Sequence, residues 1–387
     1  MFIDVARRRA GAEKRSDSFT FGIEEEYFLV DGSTKRITCG MPPAFLKAVG
    51  AATDGRVQGE FLQSQLEAVS SQHVSMQSAR TELRLLRQTA AKIAAEHGLA
   101  ILAAGTHPTA IWGSSLQTAK ARYDDVMDDL QMIGHRNMLC GMHVHVSLPG
   151  EHDRVEVMYR MLPYLPLLLA LSTSSPFWQS RRTGLKGYRL AAYDELPRSG
   201  VPELFRTEEE YNAYVSALTR AGVIKDSSYI WWAIRPSLNF PTLELRAPDC
   251  CTRIEDTLAI AALYRALARQ LYRNPWRNCD LNAISRALVV ENKWRAQRYG
   301  VHGTFATESG AVSVADMLDR VLDDVAEDAE ALGCTAEIGR CREIVRLGTS
   351  ADAQLAVFEA HSAGNAEAPQ EQALRAVAEW IAAATLQ

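Results

Sequence analysis

Hydrophobic and polar positions along the chain fall into short alternating or apolar runs separated by longer helical ones. Residues 19–30 are aromatic and β-branched except for three consecutive carboxylates, and Asp31-Gly32 closes them with a turn signal, so they predict a strand. Residues 57–69 predict a second extended stretch. Residues 78–96 have helical spacing, with Ser78 as the expected cap, Glu82 in the early turns and Gly98 as the stop. Residues 99–104 then read as a buried strand that ends at Gly105-Thr-His-Pro108, and 140–148 alternate as a strand stopped by Pro149-Gly150. Residues 155–174 predict an apolar helix ended before Pro176. Strand patterns at 229–235 and 243–247 flank a turn around Pro236 and Pro241. Helices are expected at 253–273 and 281–298, and almost nothing but helix from about 312 onward, broken near Gly333, Gly348 and 364–369. Strands dispersed among long helices make the class α+β. The polar, aperiodic residues 1–17 are expected to form a mobile arm. That divides the chain into the arm, a catalytic region at 18–300, and a helical region at 301–387 that packs on it.

Composition narrows the function classes. The 387 residues are 47% hydrophobic, enough for a sizeable core, and 42 Lys plus Arg against 47 Asp plus Glu leave a net charge of -5. A mild acidic excess argues against general nucleic-acid binding, which needs a basic face. The longest apolar run, residues 161–172, is too short to span a membrane and contains Pro163 and Pro166. Arg7, Arg8 and Arg9 lead into polar residues rather than an apolar segment, so no signal peptide is expected. Seven Cys without CxxC spacing read as reduced thiols, which predicts a soluble, cytoplasmic protein.

The common phosphate-loop, dinucleotide, zincin and hydrolase-elbow signatures are absent from the sequence. Gly22-Ile-Glu24-Glu25-Glu26-Tyr27 is the most unusual segment, because three carboxylates oppose strand propensity and repel one another. On a strand Glu24 and Glu26 share one face, roughly 6–7 Å apart, and Glu25 points to the other. Such a pair suits hard divalent cations; the plainer reading, a solvated edge, sits poorly with Phe21, Ile23, Phe28 and Leu29 beside it. His143 and His145 share a face opposite Met142, Val144 and Val146, although a bare HxH pair is also compatible with structural histidines. Glu244 and Arg246 likewise share a face opposite Leu243 and Leu245: a metal carboxylate beside a phosphate-binding guanidinium, or a plain surface ion pair. Glu60 and Glu67 have the wrong parity for one face of one strand. To serve one site the chain must bulge between them, or Glu60 must reach in from the strand's end. Oxygen ligands with one imidazole suit Mg²⁺ or Mn²⁺ better than zinc. The residues alone leave open a zinc metallohydrolase built on His143 and His145, and a non-catalytic nucleotide or metabolite binder.

Taken in order, several motifs resemble the carboxylate–amine ligase family known as glutamate–cysteine ligase type 2. They are Gly22-Ile-Glu-Glu-Glu-Tyr27, Gly105-Thr-His-Pro108, Gly141-Met-His-Val-His145, Ser175-Pro-Phe-Trp178, Ile234-Arg-Pro-Ser237, Glu244-Leu-Arg246 and Glu291-Asn-Lys-Trp-Arg295. The resemblance covers about residues 19–300. It implies a curved, mainly antiparallel sheet of glutamine synthetase type flanked by helices, ATP with Mg²⁺ (Mn²⁺ as the substitute), and a homo-oligomer, a dimer being favoured. By motif, Glu24, Glu26, His143 and Glu244 resemble the metal ligands, and Glu60 and Glu67 match the family's acidic strand. Arg246 falls where an arginine contacts phosphate, and His145 where a polar residue contacts substrate. Arg235, with Arg181 or Arg182, is expected to extend the positive field over the substrate. Lys293 and Arg298 are candidates for the nucleotide, against a plain i,i+4 pair of Glu291 with Arg295 on that helix. One departure is Trp231-Trp-Ala-Ile-Arg235: relatives more often carry an acidic residue before Ile-Arg, which bears on acceptor choice. The implied reaction activates the γ-carboxyl of glutamate for attack by an amine such as cysteine.

Overall fold

The computed structural model describes residues 19–113, 115–150, 154–362 and 370–387. The expected arm at 1–17 and the break at 364–369 lie outside the described residues. Seven strands form the main sheet: β1 (Phe21–Asp31), β2 (Val57–Gly59), β3 (Gln65–Val69), β4 (Leu99–Leu102), β5 (Met142–Ser147), β6 (Ile234–Pro236) and β7 (Thr242–Leu245). Their order is β6-β7-β5-β1-β3-β2, with β4 pairing to the second half of β1, and every pair is antiparallel. An antiparallel sheet tolerates one polar face, and this one uses that freedom.

Its apolar face is closed by helices. Met76–Glu96 (α1), Ile254–Arg273 (α2) and Gln370–Ala384 (α3) supply buried side chains such as Leu83, Leu258 and Val377 to the cores behind the strands. Side-chain bonds tie the layers together: Tyr264 Oη donates to the Leu243 carbonyl at 3.1 Å, and Thr385 Oγ1 accepts from the Ala103 amide at 3.0 Å.

Several expectations are corrected. The stretch at 57–69 is two strands, split because the chain turns at 60–64, where the Glu60 amide bonds the Gln65 carbonyl at 3.1 Å. Helix α1 begins two residues earlier than expected, since Ser75, not Ser78, is its cap and accepts the Ser78 amide. Pro236 ends β6 instead of opening a turn; β6 is the sheet's edge, where a missing N–H costs nothing. Trp231–Trp232 leaves the main sheet and pairs in parallel with Ser199–Gly200. Helix runs from Val314 as expected, with Gly333 and Gly348 at its breaks with φ of 63° and 87°, but the region from 301 opens on a hairpin of Thr304–Thr307 and Gly310–Ser313.

The apolar run at 161–172 also extends further than its composition suggested. Arg154–Ser172 is one helical stretch, long and apolar enough to cross a membrane by those criteria, with a 3₁₀ turn where Pro163 intervenes. It is 89% buried inside the fold, so its apolarity serves the core.

Candidate active site

Strand register alone brings most of the polar residues together. Glu26 stands opposite Glu67, Glu24 opposite His143, and Glu244 opposite both His145 and Arg235. Opposed residues share a face, so a row of carboxylates, imidazoles and a guanidinium crosses four adjacent strand pairings. Glu60 joins them from the turn after β2, reaching in from the strand's end; its Oε2 accepts the Tyr123 hydroxyl at 2.9 Å. All of these residues, with Arg246, line one cavity of about 260 Å³.

Glu24 and Glu244 are the well-partnered acids. His143 Nδ1 lies 3.1 Å from Glu24 Oε2, and His145 Nε2 lies 3.3 Å from Glu24 Oε1. Burial would raise the Glu24 carboxyl, but its hydrogen bonds to His143 and His145 outweigh that and hold it well below its ordinary value. Glu244, 3% exposed, is clasped by Arg235 through Nε at 2.8 Å and Nη2 at 3.2 Å, and also by Arg246 Nη1. Its carboxyl is held low because Arg246 and Arg235 override the cost of burial. Arg235 is itself anchored by the Ser228 and Ile230 carbonyls, and Arg246 by Tyr193 Oη at 3.2 Å.

The other acids are crowded. Among the described residues Glu26 accepts only the Gly141 amide, and burial followed by the neighbouring Glu60 charge raises it to about 7. Glu67 rises well above its ordinary value through burial, then the charges of Glu60, Glu24 and Glu26. His143 falls to about 4, from burial and from Arg246. A pit that collects carboxylates and then raises their pKa values is short of positive charge, as a divalent-ion site is before loading.

The donor set fits such an ion. Glu24, His145 and Glu244 each offer a ligand atom, and these atoms lie within 4.8 Å of one another. Among the described residues both imidazole Nε2 atoms are buried and poorly satisfied, His143 Nε2 without a hydrogen bond and His145 Nε2 with only its 3.3 Å approach to Glu24. The geometry therefore groups His145 with Glu24 and Glu244, while His143 adjoins Glu24 and stands 3.9 Å from Glu26.

Three expected residues are not brought in. Arg182 pairs with Glu359 at 3.2 Å, Lys293 pairs with Asp194, and Arg298 lies over the Tyr299 ring; none lines the cavity. Lys293 and Arg298, expected at the nucleotide, face away from this cavity on the helix Ala283–Tyr299, and Arg182, expected at the substrate, lies on the short strand Arg181–Arg182 outside it. The plain Glu291–Arg295 pair is present at 3.9 Å. Conversely, Tyr123, Arg189 and Tyr193 line the cavity without having been singled out. They lie on short helices with no signal in their own sequence, and only packing delivers them.

Residues 20–375 match the model of glutamate-cysteine ligase family 2 (GCS2). The chain belongs to that family. A relative from Bradyrhizobium sp. (strain ORS 278), provisionally named glutamate–cysteine ligase 2, is 53% identical over 99% of this chain and 91% of its own length. One of the same name from Rhodospirillum rubrum is 43% identical over 96% of this chain and 97% of its own length. Among solved structures, the glutamate–cysteine ligase of Francisella tularensis in complex with AMP superposes with a TM-score of 0.65 at 12% identity, covering 95% of this chain and 89% of that one. The bifunctional glutathione synthetase of Pasteurella multocida gives 0.69 at 14%, and this chain spans about half of it (53%). At such identities the likeness is one of fold, and it bears out the α+β sheet expected from the family motifs. Membership of the GCS2 family makes the chain an ATP-dependent ligase rather than a zinc hydrolase or a binding protein.

Proposed function

We propose that the chain joins the γ-carboxyl of glutamate to an amine, with cysteine the leading acceptor, through an acyl phosphate. The observation that carries this reading is the convergence of Glu24, Glu26, Glu60, Glu67 and Glu244 with two imidazoles and two arginines in one cavity. A carboxylate is a poor acyl donor because oxide is a poor leaving group. Transfer of the ATP γ-phosphoryl to a carboxylate oxygen supplies a good one. The amine nitrogen then attacks the acyl carbon, the C–O bond to phosphate breaks with its electron pair, and the nitrogen loses a proton. Positioning and charge neutralisation dominate such phosphoryl transfer. Arg235, fixed by Glu244 and backbone carbonyls, and Arg246, fixed by Glu244 and Tyr193, hold a positive field on one side of the cavity. Glu24, His145 and Glu244, with Glu26, Glu60 and Glu67 alongside, would hold Mg²⁺ or Mn²⁺, which when bound neutralises phosphate charge. That the Francisella ligase of the same fold was solved in complex with AMP supports a nucleotide as ligand.

The test is purified protein with Mg-ATP, glutamate and a panel of amines, reading ADP release and amide product. The expected result is ADP release that depends on the amine and matches the amide formed. Amine-independent ADP release with no amide across the panel would reject the reading.

A further inference from the structure

Arg189 is a buried cation that the site described above leaves unassigned. It is 2% exposed, it lines the catalytic cavity, and it forms no ion pair among the described residues. One side of its guanidinium is committed: Nη1 reaches the carbonyls of Arg246, Ala247 and Pro248 at 3.3, 3.5 and 3.0 Å. The other side is not. Nε is buried without a partner, and Nη2 makes no hydrogen bond among the described residues. Leaving a charged donor unsatisfied in so dry a place is costly unless something comes to meet it.

The free side lies beside Gly141, close to His143 in the cavity wall. A methyl group placed on Gly141 would come 2.1 Å from Arg189 Nη2 and 3.1 Å from His143 Nε2, so both atoms converge on the space above Gly141. The Gly141 amide donates to Glu26 Oε2. A Cβ at Gly141 would therefore have to displace the Arg189 guanidinium from its place. Arg235 and Arg246 differ from Arg189 in having Glu244 as their counter-ion.

We propose that Arg189 is a substrate-binding residue that receives an anionic oxygen, from a carboxylate of the donor amino acid or from a phosphate of the nucleotide, on Nε and Nη2. The proposal rests on the ligase reading for the identity of the two substrates. Its contact with three backbone carbonyls gives a rival, that Arg189 only ties down residues 246–248, and the two roles move different quantities.

The experiment compares wild type with Arg189→Met and Arg189→Lys, measuring Tm, the KM values for glutamate and for Mg-ATP, and calorimetric Kd values for each ligand alone. Loss of two charge-assisted bonds is expected to weaken one ligand roughly 10–100-fold in Arg189→Met, with Arg189→Lys intermediate and the other ligand within about threefold. Weaker glutamate identifies a carboxylate contact, and weaker Mg-ATP a phosphate contact. Values within threefold for both ligands overturn the proposal, as does loss of the fold in both variants, which would mark a structural tie. If wild type shows no amine-dependent turnover, the ligase reading fails by itself. The Mg-ATP Kd in the same variants then decides Arg189 separately: a tenfold weakening upholds it and an unchanged value overturns it.

Discussion

The two faces of β1 received the same residue and made opposite uses of it. Glu25 points to the helices, where Arg87 grips it through Nε at 2.9 Å and Nη2 at 2.6 Å, and Tyr27 and Thr257 hydroxyls donate at 2.6 and 2.7 Å. It is fully buried, and although burial opposes ionisation, Arg87 keeps its carboxyl below the ordinary value. Glu24 and Glu26, one residue to either side, face other carboxylates and imidazoles instead. A saturated buried charge serves the fold; an undersatisfied cluster is left ready for a ligand.

Removing the saturated charge should have the largest effect. Glu25→Ala leaves Arg87 buried without its counter-ion and is expected to cost about 3–5 kcal/mol in unfolding free energy, measured by denaturant titration. Turnover per folded molecule should be retained, which distinguishes this face from the other. Glu24→Gln should do the reverse, with a drop in turnover on the order of a hundredfold or more, weaker Mg²⁺ dependence and a folded protein. Glu244→Gln should lose the same activity and some stability as well, since it leaves Arg235 and Arg246 without their counter-ion. Near-normal activity in both variants would remove the proposed metal site.

Glu26→Gln sharpens the contrast by pH. The Glu26 carboxyl is raised from 4.5 to about 7, so the protonated form favours folding. That contribution is fully present below about 4.5 and is lost as pH rises through 7. In metal-free protein at pH 8, Glu26→Gln should therefore be more stable than wild type in denaturant titration. The gap should close on acidification, and a gap that widens would contradict the crowding described above. Tyr123→Phe removes the hydroxyl bonded to Glu60 and should cost only about 1 kcal/mol, since Glu60 keeps access to the cavity.

Much of this site was legible because strand alternation is a strong rule. Parity assigned Glu24, Glu26, His143, His145 and Glu244 to the face that their register now shows them sharing. The odd spacing of Glu60 and Glu67 was legible as an irregularity, and the turn at 60–64 is its cause. Helical positions were harder to assign. Lys293 and Arg298 have side chains of the right chemistry on a long helix, but which face of that helix meets the cavity is decided by packing. Arg87 was invisible for the same reason: nothing in 78–96 marks one arginine as the buried partner of a residue 62 positions away.

By itself, then, the sequence determined the class of fold, the strands that bear the acids, and the side of each strand on which they lie, because a period of two is a local property of the backbone. Only the tertiary structure decided the rest. It set Arg235 and Arg246 on the same carboxylate, turned Arg182 and Lys293 to other partners, and left Arg189 with no ion-pair partner among the described residues. Those outcomes depend on which surfaces close on each other across the fold, and that is a property of no single segment.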